Sequence, residues 1–330
     1  MRAPYRIAFL PLLDCAPLVA AKEKGFFAAQ GAPVELRKAQ SWSQLRDWLV
    51  TGQVDAAQML LTIPIQCAVG PAASPQPLAF AYTLNRRGNG VIFGNALWNA
   101  GARDARGLAA YLDSRHGEIV RMGVVFPRGT QEYFLRYWLA EAGLVIGDRI
   151  SLAIIPPQEL VGRLRKREVE GFCVAEPWSL RATASKLGRL VAESGNVLPG
   201  LGDKVLAVRS SWHSAHAAPH ACLLRALAQA DAWLEDAANG DEAAEMLASK
   251  RYVNTSRSVV KSALAGAQAV RAAAGPGAAL DRPHRPARAH VQWYLRQMFR
   301  WRHLPEDASP PDPAALCLEE FHDSALAGAI

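Results

Sequence analysis

Helix starts that could hold a small anion recur in this sequence, each directly after a strand pattern. The first is Ser41-Trp42-Ser43-Gln44, in which Ser41 and Gln44 have the spacing of a helix capping box. A hydroxyl and the backbone N–H groups of a helix N-terminus together form an anion site, and Trp42 would add a flat apolar wall for a planar ligand. The same residues also fit a plain helix cap beside one buried tryptophan.

Two further junctions between strand and helix carry side chains of the same kind. After the strand pattern at 120–126, Thr130 is predicted as the N-cap of a helix, and Gln131 in its first turn could hydrogen-bond an oxyanion. Glu176 and Trp178 stand at the end of another strand pattern, separated by a proline that fixes the turn. These four side chains are therefore candidate ligand contacts.

Lys204 directly follows the glycine-rich turn Gly200-Leu-Gly202 and could bring a full positive charge to a bound anion. A lone lysine is more often a solvated surface group. Lys204 is a candidate ligand contact only in combination with the other residues.

Motifs of the common cofactor and catalytic sites are missing. The chain has no Walker A sequence, no G-x-S-x-G, no H-E-x-x-H and no C-x-x-C. Gly88-Asn-Gly90 begins like a dinucleotide-binding fingerprint but lacks the third glycine and does not open a helix. His213, His216 and His220 have a spacing that could complete a zinc site, but small residues separate them, as at the exposed start of a helix. We therefore expect no metal and no cofactor.

The elements that must position these residues alternate between strand and helix. Short apolar strand patterns alternate with helical ones from residue 5 to about residue 212, which is typical of an α/β fold. The C-terminal third is helical throughout, apart from a Gly/Pro/Arg-rich stretch at 274–286 that is predicted as a surface loop. The turn-rich segment at 86–90 interrupts an extended stretch and is predicted as a hinge strand.

The most economical architecture is two α/β lobes with the second inserted into the first. The chain would cross between them near residues 85–95 and 197–205, which gives a hinge of two crossovers. Lobe I would then comprise residues 1–90 and 204–330, including the C-terminal helices, and lobe II residues 91–203. Because open α/β sheets bind ligands at the carboxyl ends of their strands, we expect the ligand in a cleft between the lobes.

Composition and charge narrow the class of function. Of 330 residues, 50% are hydrophobic and 20% charged, which indicates a globular chain and excludes disorder. The net charge of +7 is diffuse and no nucleic-acid-binding motif accompanies it, so we expect no direct nucleic-acid binding. Apolar runs fall short of the roughly 18 residues of a spanning helix, so no membrane contact is expected. Five scattered cysteines favour buried thiols in a reducing compartment.

Several segments, spread over nearly the whole chain, together carry a family resemblance. They are Leu13–Leu18, Glu23–Phe27, Ser41-Trp42 with Arg46-Asp47, Val54–Leu60, Gly123–Pro127 with Arg136–Leu139, Gly171–Trp178 and His290–Pro305. As a set they resemble the nitrate/bicarbonate-binding proteins of ABC importers. The resemblance implies a type II periplasmic-binding-protein fold and a small planar oxyanion as ligand.

The same resemblance implies particular ligand contacts. Trp42, Asn89 in the hinge segment, Gln131 and Lys204 match positions at which the nitrate binders hold their ligand. Those proteins typically carry histidine where this chain has Gln131, so nitrate, nitrite, bicarbonate, a sulfonate or cyanate all stay open as ligands. We expect that removing the charge of Lys204 abolishes the response to the anion and leaves partner binding intact.

Among these proteins the sequence is most similar to the cytoplasmic NasS-type nitrate/nitrite sensors, since its first strand pattern begins at residue 5 without an export signal. That similarity implies a partner, an ANTAR-class RNA-binding antitermination regulator (NasT-like), which is released when the anion binds. We do not expect an enzyme. Two alternatives stay open: an importer subunit with a missing signal peptide, and an enzyme in which Glu176 would need a histidine or cysteine partner.

Overall fold

A computed structural model describes residues 3–69, 73–85, 88–273 and 284–327, with the side chains of 267–273 left aside. Most of the surface loop predicted at 274–286 lies outside the described residues, as do Arg86 and Arg87 of the predicted hinge strand. No helix within these ranges is long and apolar enough to cross a membrane.

Ten β-strands are found in the described residues. In chain order they are β1 (Tyr5–Phe9), β2 (Val34–Lys38), β3 (Ala56–Leu60), β4 (Leu78–Asn85), β5 (Asn89–Gly94), β6 (Val120–Val124), β7 (Ile150–Ile154), β8 (Gly171–Ala175), β9 (Gly188–Glu193) and β10 (Lys204–Arg209). Strands and helices alternate along most of this part of the chain, as the sequence predicts.

The helices range from single turns to five turns. They are α1 (Ala16–Glu23), α2 (Phe26–Ala29), α3 (Trp42–Val50), α4 (Thr62–Ala68), α5 (Asn95–Asn99), α6 (Ala105–Asp113), α7 (Thr130–Ala140), α8 (Leu160–Arg165), α9 (Trp178–Ala184), α10 (Ser194–Val197), α11 (Ser210–Ala215), α12 (Ala217–Glu235), α13 (Gly240–Ala248), α14 (Arg257–Ala273), α15 (Arg288–Arg300), α16 (Pro313–Leu316) and α17 (Glu319–Leu326).

The chain divides into two compact units. Unit 1 consists of Met1–Arg86 and Gly202–Ile330, and unit 2 of Arg87–Leu201. Each unit contains one five-stranded mixed sheet with helices, so the α/β class predicted from the sequence is confirmed.

The sheet of unit 1 has the strand order β2-β1-β3-β10-β4. Strands β1, β2 and β3 are parallel, and β10 runs antiparallel to its neighbours β3 and β4. Lys204 is therefore placed opposite Leu60 at the end of β3 and opposite Asn85 at the end of β4. The start of β10 and the carboxyl ends of the other strands share one edge of the sheet.

The sheet of unit 2 repeats this plan with the order β7-β6-β8-β5-β9. Strand β6 is parallel to β7 and β8, whereas β5 is antiparallel to β8 and β9. Asn89, the first residue of β5, is paired with Ala175, the last residue of β8. Asn89 thus lies at the edge where β6 and β8 end and where α7 and α9 begin.

Each sheet has its own apolar core. Every residue of β3 and of β8 is buried, as expected for central strands that helices cover on both faces. In unit 1, α1 packs against the long helix α12, and Leu18, Leu223 and Leu227 join the core beside the sheet. In unit 2, the core residues of α6 and α7 pack with those of β5 and β6.

The C-terminal third is helical, but one predicted element differs. The sequence predicts helix throughout this part, apart from the stretch at 274–286, but Cys317 and Leu318 separate the two short helices α16 and α17. Cys317 forms an isolated bridge with Phe80 of β4, and the N–H of Leu318 donates to the carbonyl of Phe80 at 2.9 Å. Backbone pairing with the edge strand of unit 1 therefore replaces helical hydrogen bonds at this point.

Candidate functional site

A buried polar cluster lies at the edge of the unit 2 sheet where β6 and β8 end and α7 begins. Gln131 Nε2 donates to Asn89 Oδ1 at 3.0 Å, and the Thr130 hydroxyl donates to Gln131 Oε1 at 3.2 Å. All three side chains are buried, with exposed fractions of 1–3%. The backbone N–H of Asn89 donates to Ser194 Oγ at 3.3 Å, which fixes the start of β5. Three of the predicted ligand contacts are thus joined in one hydrogen-bond network.

The loop before α7 sets the position of Thr130 and Gln131. Gly129, not Thr130, is the N-cap residue, and no side chain bonds to the helix start from that position. The prediction of Thr130 as N-cap is therefore wrong by one residue. Arg128 has a left-handed backbone (φ +55°), and its N–H donates to Glu132 Oε2 at 2.7 Å. Glu132 also pairs with Arg136 at 2.8 Å, so the first turn is held from within the helix.

Because the backbone N–H groups of a helix's first turn have no acceptor inside the helix, the start of α7 favours a negative charge. Thr130 and Gln131 are the first two residues of that turn. Their side chains add hydroxyl and amide groups that are polar but uncharged. This arrangement suits a small anion that accepts hydrogen bonds.

Glu176 lies next to this cluster but has a structural partner of its own. Its N–H donates to the carbonyl of Gly88 at 3.1 Å, which holds it beside the start of β5. Its carboxylate accepts from the N–H of Leu180 at 3.0 Å and from the hydroxyl of Ser179. The Glu176 side chain therefore satisfies backbone and side-chain donors in the first turn of α9.

Trp178 begins α9 and is buried, with 3% of its surface exposed. Its indole Nε1 has no hydrogen-bond acceptor among the described residues. The guanidinium of Arg181 lies 5.3 Å from the centre of the indole ring, within the range of a cation–π contact. Trp178 thus offers a buried N–H donor in the same unit as Gln131.

In unit 1, Ser41 and Trp42 form the start of α3, as the sequence predicts. Ser41 is the N-cap, and its Oγ accepts from the N–H of Gln44 at 3.2 Å. The side chain of Gln44 reaches back and accepts from the N–H of Gln40 at 2.7 Å. The Ser41 hydroxyl therefore serves as the cap of α3. Trp42 is 1% exposed, and its Nε1 has no acceptor in the described part of the chain.

Lys204 is fully buried and lies between two carboxylates. Its Nζ is 3.3 Å from Asp14 Oδ2 and also contacts the carboxylate of Asp203. Although burial opposes its charge, Asp14 and Asp203 keep the pKa of Lys204 above its ordinary value. The side-chain amide of Asn85 donates to Asp14 Oδ1. The full positive charge expected from the sequence is present but neutralised by its neighbours.

Sequence reasoning did not assign Asp14, Asn85 or Asp203 to the site. Asp14 follows β1, Asn85 ends β4, and Asp203 directly precedes β10. All three therefore lie at the edge of the sheet where Lys204 begins its strand. Asp203 could have been found from its position next to Lys204 in a glycine-rich turn. Asp14 could be assigned to this edge of the sheet only once the strand order was known.

The three histidines with zinc-like spacing lie in unit 1, where each has a hydrogen-bond partner. His213 Nδ1 is 3.0 Å from His220 Nδ1, and His216 stacks on Trp212 and bonds to its carbonyl at 3.1 Å. In the described ranges, no group of three His, Cys, Asp or Glu side chains is arranged to hold a metal ion.

Comparisons with known proteins agree with this architecture. The NMT1-like family model matches residues 2–248. The chain is 34% identical to the bicarbonate transport ATP-binding protein CmpC of Synechococcus elongatus over 304 residues, which are 91% of this chain and 45% of CmpC. The chain thus spans about half the length of that relative.

Two relatives are matched over most of their length. The nitrate/nitrite binding protein NrtA of Synechococcus elongatus is 30% identical over 322 residues, which cover 91% of this chain and 72% of NrtA. The crystal structure of the periplasmic nitrate-binding protein NrtA from Synechocystis PCC 6803 is similar with a TM-score of 0.86 and 27% identity, over 98% of this chain and 88% of that one. The fold is therefore that of the periplasmic binding proteins, and the chain belongs to the NMT1-like family, within its NrtA/CmpA-like group of nitrate- and bicarbonate-binding proteins.

Proposed function

We propose that this chain binds a small monovalent oxyanion, nitrate or nitrite, through the Thr130–Gln131–Asn89 cluster. The observation that carries the proposal is the buried hydrogen bond between Gln131 and Asn89 at the start of α7, in a chain whose relatives include nitrate/nitrite binding proteins. The first-turn amides of α7 and the second N–H of the Gln131 amide supply donors to such a ligand.

Two further buried donors support a ligand that accepts hydrogen bonds. The indole N–H groups of Trp42 and Trp178 are buried without an acceptor in the described residues, and an indole can only donate. A bound oxyanion would satisfy such groups, which otherwise lose the hydrogen bonds that water gave them. We include Trp178, which lies in the same unit as this cluster, in the proposed set of contacts. Trp42 and Lys204 of unit 1 stay predictions from the sequence.

We further propose that the anion acts as a signal. In this proposal the chain is a cytoplasmic nitrate/nitrite sensor that holds an ANTAR-type antitermination regulator and releases it when the anion binds. The five cysteines, all free thiols and four of them buried, support a reducing compartment. Release requires that the anion bind the partner-free state more tightly than the partner-bound state.

A second candidate is the substrate-binding subunit of an ABC importer. It is favoured by the similarity to NrtA, which is named as a periplasmic nitrate-binding protein. Both candidates share the anion site and differ in partner: an RNA-binding regulator in the first, membrane components of an importer in the second.

Isothermal titration of the purified chain with nitrate, nitrite, bicarbonate and sulfate, at fixed ionic strength, tests the shared proposal. We expect saturable binding of nitrate or nitrite, weak or no binding of sulfate, and loss of binding in Gln131→Ala. Saturable binding of bicarbonate alone, or of none of the four, overturns the proposal.

A pull-down distinguishes the two roles. Purified ANTAR regulator from the same organism is incubated with the immobilised chain, with and without nitrate, and Gln131→Ala serves as the anion-blind control. The sensor role predicts capture without nitrate, release of the wild-type complex by nitrate, and no release of the variant complex. No capture in either condition, together with secretion of the chain in cell fractionation, favours the importer subunit.

A further inference from the structure

A group of exposed cations lies at the edge of the unit 2 sheet opposite the Thr130–Gln131–Asn89 cluster. Two turns supply it. The turn after α8 carries Arg165, Lys166 and Arg167, and the turn after α9 carries Lys186, followed by Arg189 near the start of β9. All five residues are exposed. We call these five residues the cationic edge.

The backbone of unit 2 brings the two turns together. The strands that follow them, β8 and β9, pair with β5 on its two sides. Because neighbouring strands lie about 4.8 Å apart, the starts of β8 and β9 are separated by roughly 10 Å. The N–H of Gly94 donates to the carbonyl of Glu170 at 2.8 Å, and the N–H of Asn95 donates to the carbonyl of Leu187 at 3.2 Å. The end of β5 therefore holds the chain that follows each turn.

The carboxylates near the cationic edge do not neutralise it. Glu168 pairs with Arg163 at 2.5 Å, and the carboxylate of Glu170 accepts from the backbone N–H of Arg121 at 2.7 Å. In the described part of the chain, none of the five cations forms an ion pair. A group of like charges raises the local potential, so the cationic edge attracts a partner of negative charge.

Two of the five cations occupy positions that glycine normally takes. Arg167 (φ +59°) and Lys186 (φ +56°) have a left-handed backbone at the ends of α8 and α9. The N–H of Arg167 donates to the carbonyl of Leu164 at 3.0 Å, and that of Lys186 to the carbonyl of Thr183 at 2.9 Å. Glycine is the usual residue at such a helix end because it has no Cβ atom. Local folding thus disfavours long side chains there, whereas a role for their charges explains them.

We propose that the cationic edge is the docking surface for an acidic face of the protein partner. This inference rests on the proposed function, which gives the chain an antitermination regulator as its partner. Leu190, which is 39% exposed and adjoins Arg189, adds an apolar contact of the kind that protein interfaces include. An RNA strand fits less well, since neither turn carries an aromatic side chain on which bases could stack.

The anion and the partner then occupy separate places in unit 2. Strand β5 connects these places, because Asn89 of the polar cluster begins it and Gly94 ends it. Five residue steps of about 3.3 Å place the two ends of β5 roughly 17 Å apart. Substitution of the cations should therefore leave nitrate affinity unchanged, and a nitrate titration checks that each variant is intact.

The experiment measures association of the full chain with the purified regulator from the same organism, by biolayer interferometry at about 50 to about 500 mM salt. One variant combines Arg165→Gln, Lys166→Gln and Arg167→Asn, and a second combines Lys186→Asn and Arg189→Gln. Asparagine is used where the backbone is left-handed, because it tolerates that conformation. We expect the association rate constant at low salt to fall at least about tenfold in the first variant and about threefold in the second, with differences that shrink as salt is raised.

A matched control removes three cations from unit 1. It combines Lys250→Gln, Arg296→Gln and Arg302→Asn, all at exposed residues, and Arg302 also has a left-handed backbone (φ +54°). The control loses the same net charge as the first variant, so it separates the cationic edge from the charge of the whole chain. We expect it to associate with the regulator within about a factor of two of the wild type. Urea unfolding checks the stability of all three variants.

An association rate that does not change with salt, or that falls equally in the first variant and the control, overturns the inference and leaves the proposed function standing. So does loss, in both variants, of binding to a fluorescent single-stranded RNA of about 20 nucleotides with unchanged association of the regulator. The salt dependence of the wild type and the second variant test the inference even if the first variant fails to fold. Absence of regulator binding by the wild type in nitrate-free buffer overturns the sensor role and this inference together.

Discussion

Gln131 and Asn89 are joined by a buried hydrogen bond of 3.0 Å between Nε2 of the glutamine and Oδ1 of the asparagine. The bond connects the first turn of α7 to the first residue of β5, which are distant in sequence but meet at one edge of the unit 2 sheet. It uses one of the two N–H groups on Nε2 and leaves the other to offer to a ligand. This hydrogen bond predicts how substitutions at Gln131 change nitrate affinity and stability.

Gln131→Glu should remove anion binding. The carboxylate has nearly the size of the amide, but it replaces the N–H donor by a negative charge that repels the ligand, so we expect nitrate affinity to fall at least about tenfold. The loss of the bond to Asn89 should also lower the free energy of unfolding by about 1–3 kcal/mol. Titration calorimetry and urea unfolding measure the two effects.

Gln131→His is the matched comparison, because it keeps a neutral N–H donor at the same place. We expect it to retain nitrate binding within about a factor of ten, which corresponds to about 1.4 kcal/mol. Equal nitrate affinity of Gln131→Glu and the wild type would show that the anion does not contact this cluster.

Substitution of Glu176 should change stability and not anion binding. Its carboxylate accepts from the N–H of Leu180 and from Ser179, so it acts as a cap for α9. We expect Glu176→Ala to lower the free energy of unfolding by about 1–2 kcal/mol, as the loss of a helix cap does, and to leave nitrate affinity unchanged. Glu176→Gln, which can still accept through its amide oxygen, should be less destabilised in the same urea titration. Glu176 would be a ligand contact instead if Glu176→Ala weakened nitrate binding without changing stability.

Local sequence patterns predict most of the fold. Alternating strands and helices and the turn-rich segment at 86–90 were enough to indicate two α/β lobes. Ser41 caps α3 as predicted, because the spacing of a capping box is a property of neighbouring residues. The predicted helical C-terminal third is interrupted at Cys317 and Leu318 because both pair with Phe80, a contact that no local pattern contains.

The polar environment of the candidate site was less predictable. Asp14 and Lys204 are far apart in sequence, and only the placement of β10 beside β3 brings the start of that strand to the edge where β1 ends. Spacing rules applied to Lys204 alone therefore indicated an unpaired positive charge. Gln131 and Asn89 were both predicted as ligand contacts, but the hydrogen bond between them could be recognised only from the order of strands in unit 2.

Removal of the Lys204 charge should lower the stability of the fold. Lys204→Met leaves Asp14 and Asp203 as two buried carboxylates without their cation, and breaking a buried ion pair in this way costs about 3–5 kcal/mol. We expect urea unfolding at pH 7.5 to show a loss of this size. The loss should be smaller at pH 5, because a carboxylate in the variant can then be protonated.

Lys204→Met combined with Asp203→Asn is the control for charge balance. It removes one cation and one anion together, so we expect it to be more stable than Lys204→Met alone. If Lys204→Met lost less than about 1 kcal/mol, the buried pairs would be no stronger than exposed ones.

The histidine pair of unit 1 predicts how stability depends on pH. His220 is fully buried on α12, and its Nδ1 lies 3.0 Å from Nδ1 of His213. Burial, with a smaller effect of His213, lowers the pKa of His220 from 6.5 to about 3. Between these two values the unfolded chain binds the proton and the folded chain does not. The contribution of His220 to stability is therefore complete above about pH 6.5 and is lost as the pH falls toward 3.

Urea unfolding at pH 7, 5.5 and 4 measures this loss, which for one such group is about 1.4 kcal/mol per pH unit. We expect His220→Asn, whose amide keeps one polar atom near the position of Nδ1, to be less stable than the wild type at pH 7 but to lose less stability on acidification. His116→Gln removes an exposed imidazole and should follow the wild-type curve. The wild type and His220→Asn share every other titratable group, so the difference between their plots of unfolding free energy against pH reports on His220. Parallel plots would mean that His220 takes up its proton in the folded chain.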